Sequence, residues 1–204
     1  MSATALPGHG APARIGPNTI IQVAGVLRDR LSQSFAEAVL REGTPYTLDT
    51  MPHDMVDERE ALGMVRVLVR RVGATAAVSV LREAGYRTAD YLLANRIPSV
   101  AQWIIRAAPR RIGLKILLKA MSANAWTFAG SGTFRVIAAA RTPELVFESC
   151  LMCRDMHEDQ PMCDFYAGTF ERLIRVLVAD EVRVSEVECM AQGGARCRFQ
   201  LHNL

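Results

Sequence analysis

The chain has 204 residues, of which 50% are hydrophobic, and its formal net charge is +3. This length allows one domain, or one domain with a helical extension, and the small net charge does not favour nucleic acid as a partner. The charge is uneven, because residues 64–119 carry eleven basic and two acidic side chains, whereas residues 142–190 carry eleven acidic and four basic ones. Solvated helix faces explain the basic half most simply, and peripheral contact with an anionic membrane surface stays open.

Residues 1–16 are rich in Ala, Gly and Pro and lack the basic start and apolar core of a targeting signal, so we predict a disordered tail. No run of about 18 uncharged apolar residues follows, so the sequence predicts no transmembrane segment. We therefore expect a cytoplasmic protein. In that compartment thiols stay reduced, and clustered cysteines more often indicate metal or redox chemistry than structural disulfides.

Residues 17–125 are predicted to be mainly helical, because apolar residues recur there at helical spacing between Gly and Pro breakers. Gly85 is interpreted as the end of one helix. The predicted helices cover 17–41, 58–72, 74–84, 87–96, 99–107 and 110–123.

Residues 126–204 have a different character and predict an α+β unit on an antiparallel sheet. Aromatic and β-branched residues around a Gly-Ser-Gly turn indicate a hairpin at 126–140, and 144–152 is a further strand. A helix is expected over 162–178. The last two strands are joined by a turn at Gly193 and Gly194.

Three cysteines are predicted to converge in this second part. A three-residue loop in the last hairpin would place Cys189 opposite Cys197, with Cβ atoms about 5 Å apart. Cys163 lies in the first turn of the predicted helix, on its inward apolar face, where the helix dipole favours a thiolate. Three sulfurs need one more ligand to form a tetrahedral zinc site.

The fourth ligand is open at this stage, with Glu186, Glu188 and His157 as candidates. Neither glutamate shares a strand face with Cys189, so a bulge near 187–188 would be needed to bring one into the site. Cys150 and Cys153 form a C-x-x-C pair, either as alternative ligands or as a redox pair. Buried packing thiols, a disulfide and an Fe–S cluster remain alternatives to zinc.

The segments "MCDFYAGTFERLIR" and "VSEVECMAQGGARCRF" make the region from about Leu145 to Leu201 resemble the 4-vinyl reductase domain. The same module occurs in ligand-sensing domains of aromatic-responsive bacterial transcription activators, where three cysteines and a glutamate bind zinc. By position, the resemblance implies these ligands in this chain: Cys163, Glu186, Cys189 and Cys197.

The whole chain resembles a family of bacteriochlorophyll-biosynthesis proteins that are named as 4-vinyl (8-vinyl) protochlorophyllide reductases. The resemblance implies helices packed on one side of an antiparallel sheet, a fold shared with Golgi transport-particle subunits and haem-NO sensors. It also implies a tetrapyrrole ligand and other bacteriochlorophyll-biosynthesis enzymes as partners.

The sequence shows no G-x-G-x-x-G motif after a strand, so no nicotinamide or flavin cofactor is predicted. Zinc itself has no redox chemistry. We therefore expect a carrier or accessory factor that binds a divinyl (proto)chlorophyllide. The alternatives are a vinyl reductase that uses an external electron donor and, more weakly, a small-ligand sensor module.

Pigment-contacting residues can only be nominated at this stage. Aromatic side chains suit an apolar pocket, arginines suit a propionate carboxylate, and a histidine suits magnesium, although each is more often a core or surface residue. The candidates are Trp103, Trp126, Phe128, Phe134, Arg106, Arg110, Arg111, His53 and His157. Edge strands at 126–140 would also support a homodimer, without favouring it over a monomer.

Overall fold

A computed structural model describes residues 13–138 and 142–204. The elements follow in this order: β1 (Arg14–Ile15), α1 (Asn18–Arg30), α2 (Gln33–Gly43), β2 (Val56–Asp57), α3 (Glu58–Val72), α4 (Ala74–Asn95), α5 (Ser99–Ala107), α6 (Arg110–Ala123), β3 (Thr133–Ile137), β4 (Glu144–Glu148), α7 (Asp164–Leu177), β5 (Arg183–Glu188) and β6 (Cys197–His202). Of the predicted tail, residues 1–12 lie outside the described residues. Arg14–Ile15 pairs with Val56–Asp57, and Ile15 is buried.

The main sheet has four antiparallel strands in the order β3-β4-β6-β5. Helix α7 lies between this sheet and α4. Its Tyr166 ring stacks on Phe147 of β4 with a centroid distance of 4.3 Å, while Thr169, on another side of the helix, hydrogen-bonds to the Gly85 carbonyl of α4 at 3.2 Å. The predicted α+β class, with N-terminal helices packed against an antiparallel sheet, is confirmed.

The predicted helix end at Gly85 is wrong, because α4 runs without interruption from Ala74 to Asn95. Gly85 lies where α4 crosses α7. A Cβ atom there would collide with the Phe165 carbonyl oxygen and would lie 2.9 Å from the Thr169 nitrogen. The glycine therefore permits close helix packing, a role that a local reading of the sequence cannot distinguish from a helix end.

The single helix predicted for residues 17–41 is also wrong. Leu31 leaves the helical conformation, with φ −115° and ψ −81°, and Ser32 begins a second helix. The Ser32 hydroxyl accepts a hydrogen bond from the Phe35 N–H at 3.1 Å. This N-cap satisfies a free backbone donor and makes the break between α1 and α2 favourable.

The Gly-Ser-Gly segment is not the turn of a hairpin at 126–140. It precedes β3, which pairs with β4 instead, and residues 139–140 of the predicted hairpin lie outside the described residues. The Ser131 N–H and hydroxyl both donate to the buried Glu58 carboxylate, each at 2.7 Å. Arg154 pairs with the same carboxylate at 2.7 Å, so the segment wraps around a buried charge.

Six aromatic rings fill the space between α7 and the sheet, with most neighbouring centroids 4.3–6.3 Å apart. They are Phe128, Phe134, Phe147, Tyr166, Phe170 and Phe199. Such contacts contribute beyond the burial of apolar area. Among the described residues, no helix combines the length and the apolar character that crossing a bilayer requires.

Candidate metal centre

The three predicted cysteines converge below the start of α7. Cys163 is the residue immediately before this helix, Cys197 is the first residue of β6 and pairs with Phe147, and Cys189 directly follows β5. The Sγ atom of Cys197 lies 3.6 Å from that of Cys163 and 4.0 Å from that of Cys189. All three side chains are buried, so the predicted juxtaposition occurs.

The turn that brings Cys189 and Cys197 together is longer than the predicted three-residue loop. A 3-10 turn spans Met190–Gln192, and strand pairing resumes only at Cys197, so the two cysteines are not directly opposed strand residues. Gly193 adopts φ +84°, the left-handed conformation that glycine favours. The Gly194 N–H then donates to the Cys189 carbonyl at 3.0 Å and closes the turn.

The bulge required for a glutamate ligand is present in β5. Glu186 pairs with Phe199 and Glu188 pairs with Arg198, so the strand register shifts between the two glutamates. This extra residue turns Glu186 towards the cysteines, whereas Glu188 forms ion pairs with Arg198 and Arg196 at 3.2 Å and 3.5 Å. The structure thus selects Glu186 over Glu188.

Glu186 is held in place by the helix start. Its Oε2 atom accepts a hydrogen bond from the Cys163 N–H at 2.8 Å. Its Oε1 atom is buried and has no hydrogen-bond partner among the described residues. Burial raises the pKa of this carboxyl to about 9, and negative charge on Cys189 raises it as well. A bound cation would satisfy Oε1 and reverse both effects.

Cys150 and Cys153 join the same cluster, which the spacing left undecided. The Sγ atom of Cys150 lies 3.5 Å from that of Cys163, and the Sγ atom of Cys153 lies 3.3 Å from that of Cys197. All five cysteines are free thiols, so none forms the disulfide considered from the sequence. Burial raises the pKa of the Cys150 and Cys163 thiols, as expected for sulfurs without a compensating positive charge.

The donor set fits a thiophilic metal. Two groups of four have ligand atoms within 4.8 Å of one another: Cys150, Cys153, Cys163 and Cys197, and Cys163, Glu186, Cys189 and Cys197. Four thiolates around zinc at about 2.3 Å have sulfurs about 3.8 Å apart, close to the distances here. The Met190 N–H also points at the Cys197 sulfur, 3.4 Å away, as hydrogen bonds around metal ligands often do.

The predicted histidines are elsewhere. His157 and His53 are exposed, and neither belongs to a potential metal-binding group among the described residues. The aromatic candidates divide into two classes. Phe128 and Phe134 pack in the aromatic core with a centroid distance of 5.3 Å, whereas Trp103 and Trp126 are exposed.

A buried polar network links α4 to α7 and β5, and no sequence motif indicated it. Arg82 binds Glu171 at 2.7 Å and Asp164 at 2.8 Å, and the Tyr86 hydroxyl donates to Glu171. The Val184 N–H donates to the same carboxylate at 2.9 Å. This network fixes β5, and hence Glu186, relative to the helix that carries Cys163.

Residues 143–203 match the model of the 4-vinyl reductase (4VR) domain, which covers the strands, helix and turn that carry all five cysteines. The "Bacteriochlorophyll synthase 23 kDa chain" of Cereibacter sphaeroides is 39% identical over 203 residues, 94% of this chain and 93% of the relative. The protein of the same name from Rhodobacter capsulatus is 37% identical over 205 residues, 99% of this chain and 93% of the relative. The chain belongs to this family.

Solved structures share the fold of this family member. An H-NOX protein from S. oneidensis in the Fe(II)NO state superimposes with a TM-score of 0.55 and 12% identity, over 93% of this chain and 100% of that chain. The phenol-responsive sensory domain of the transcription activator PoxR gives a TM-score of 0.54 and 13% identity, over 84% and 89%. The predicted similarity to haem-NO sensors is therefore confirmed, at the level of the fold.

Proposed function

We propose that the protein acts in bacteriochlorophyll biosynthesis and binds a divinyl (proto)chlorophyllide-type tetrapyrrole, as a carrier or accessory factor for 8-vinyl reduction. The supporting observation is the identity of 39% and 37% to two proteins named as bacteriochlorophyll synthase chains, over almost the entire chain. Similarity of this extent includes the α5–α6 region as well as the 4-vinyl reductase domain. Other enzymes of the same pathway are the proposed protein partners.

The proposed pigment-contacting face is on α5 and α6. Val100, Trp103 and Ile104 share one face of α5 at helical spacing, and Trp103 is 69% exposed. Ile112 and Ile116 follow one another at the same spacing on α6 and are also exposed. Clustered large apolar side chains at a surface mark binding sites more often than isolated ones do, and a flat macrocycle suits such a face.

The charges around this face complement a carboxylate. The sequence contains no acidic residue between Asp90 and Glu144. Arg106 follows Trp103 by three positions on α5, and Arg110 and Arg111 begin α6. Guanidinium groups beside an apolar surface match a tetrapyrrole that carries a propionate, which supports this face as the pigment site.

The test is titration of the purified protein with divinyl protochlorophyllide, followed by pigment absorbance and tryptophan fluorescence. We expect saturable binding of about one pigment per chain, with the pigment unchanged after a nicotinamide donor is added. Loss of the 8-vinyl group would instead establish the alternative, a reductase with an external donor. Absence of saturable binding would contradict the proposal.

An anionic membrane is the competing occupant of the α5–α6 face, because apolar and basic side chains also suit an interfacial helix. Flotation with phosphatidylglycerol vesicles separates the two. We expect pigment to reduce vesicle binding if both use this face. Strong vesicle binding that pigment leaves unchanged would assign the face to the membrane and contradict the pigment site.

We further propose that Cys163, Glu186, Cys189 and Cys197 hold a structural zinc ion that ties the start of α7 to the β5–β6 turn. Zinc bound by four protein ligands supplies cross-linking and no redox step. Elemental analysis tests this assignment together with Cys189→Ser, which should lose zinc and melt at a lower temperature. Zinc-free wild-type protein with an unchanged melting temperature would refute it.

A further inference from the structure

The five cysteines and Glu186 form two four-ligand groups that overlap. Cys163 and Cys197 belong to both groups. Cys150 and Cys153 complete one group, and Glu186 and Cys189 complete the other. The two completing pairs come from different segments: the first follows β4, and the second lies on β5 and directly after it.

The shared pair has the spacing of a common tetrahedron edge. The Sγ atoms of Cys163 and Cys197 are 3.6 Å apart, close to the edge of about 3.8 Å expected for thiolates around zinc. The outer sulfurs lie beside this edge, since Cys150 Sγ is 3.5 Å from Cys163 Sγ and Cys153 Sγ is 3.3 Å from Cys197 Sγ. Cys189 Sγ is 4.0 Å from Cys197 Sγ.

The chemistry of the donors favours more than one cation. A single divalent ion in the group with Glu186 leaves Cys150 and Cys153 without a metal, although both are buried against its sulfur ligands. Buried anionic donors require a compensating positive charge or must remain protonated. A second divalent ion would convert these two thiols into ligands and offset the charge of the shared thiolates.

We infer that the cluster binds two zinc ions, with Cys150 and Cys153 holding the second ion and Cys163 and Cys197 bridging the pair. Each ion then has four ligands and a tetrahedral site. Each zinc replaces thiol protons, which are released to solvent, and no oxidation or reduction takes place. The inference rests on the zinc site proposed above and adds a second site to it.

The experiment is elemental analysis of the full chain produced with excess zinc, with iron and acid-labile sulfide measured in the same samples. We expect about two zinc ions per wild-type chain. The variant Cys150→Ser/Cys153→Ser should retain one, and Cys189→Ser should also retain one. His157→Ala, at an exposed histidine between the cysteine segments, should retain two and serves as the matched control.

The outcomes separate the two proposals. One zinc that Cys189→Ser removes and the double variant keeps would overturn the second site and leave the first. One zinc with the opposite dependence would overturn both assignments, as would zinc-free protein or iron with acid-labile sulfide. If the double variant does not fold, titration of metal-free wild type with Co²⁺ replaces it. The thiolate-to-cobalt absorption should then saturate at two equivalents, and saturation at one would overturn the inference.

Discussion

Glu186 accepts a hydrogen bond from the backbone N–H of Cys163 at 2.8 Å, so two residues 23 positions apart, on β5 and at the start of α7, share one site. The bulge between Glu186 and Glu188 makes this contact possible. Because the carboxylate is both anchored by the helix start and directed at the thiols, its second oxygen is preorganised to bind a metal.

We predict that Glu186→Gln weakens zinc binding by about 10-fold or more. The amide can still accept the Cys163 hydrogen bond, but it lacks the negative charge. Competition with a chromophoric chelator would measure the change. Glu188→Gln is the matched control, because Glu188 faces Arg196 and Arg198, and its affinity should equal that of the wild type. Equal affinity in both variants would exclude Glu186 as a ligand.

We predict that Gly85→Ala destabilises the protein by about 1–3 kcal/mol, the usual range for overpacking, because the new methyl group would meet the backbone of α7. Gly25 is the control. It also lies inside a helix, but a Cβ there meets only Arg87 Nη1 at 3.6 Å, so Gly25→Ala should stabilise by about 0.5–1 kcal/mol through helix propensity. Chemical denaturation measures both. A neutral Gly85→Ala would contradict the close helix crossing.

We predict that Glu171→Gln lowers the free energy of unfolding by about 2 kcal/mol. The Glu171 side chain is 2% exposed and compensates the charge of Arg82, so the variant leaves that guanidinium poorly paired. Asp90→Asn breaks the exposed ion pair with Arg172 and should change stability by about 0.5 kcal/mol or less. Equal effects of the two variants would show that the buried network contributes no more than a surface pair.

The wild type and Glu171→Gln should also differ in their pH dependence. Burial alone raises the pKa of Glu171, but the hydrogen bonds from Tyr86 and Val184 and the charge on Arg82 outweigh it and leave the pKa below its ordinary value of 4.5. The stability that this carboxylate contributes is therefore present above the unfolded value and is lost as pH falls through the folded one. The difference between wild type and Glu171→Gln should shrink below about pH 4. A difference that stays constant in acid would contradict the assignment.

We predict that Trp103→Ala weakens pigment binding by about 10-fold, since stacking and burial of an indole are worth about 1–2 kcal/mol in a partly exposed site. Trp126→Ala is the control, because Trp126 is 64% exposed but lies outside α5 and α6, in a separate 3-10 turn. Fluorescence quenching and pigment absorbance report the affinity of each variant. The reverse order of effects would move the pigment site away from the α5–α6 face.

Local signals in the sequence determined most of the elements of this protein. The apolar period of α3, α5, α6 and α7 and the breakers around them predicted helices that the structure contains, because amphipathic spacing and capping act within a few residues. The same is true of the left-handed turn at Gly193. The segments that resemble the 4-vinyl reductase domain also marked Cys163, Glu186, Cys189 and Cys197 by their order along the chain.

Tertiary structure alone decided which of these signals had a long-range meaning. Gly85 permits a helix crossing because α7 lies against it, and Ser131 turns around Glu58 because that carboxylate is buried 73 positions away in sequence. The bulge that selects Glu186 and the approach of Cys150 and Cys153 to Cys163 and Cys197 depend on strand register and on packing of separate segments. Spacing along a chain lists possible ligands, but only the folded backbone sets the distances between them, which determine whether one ion or two can be shared.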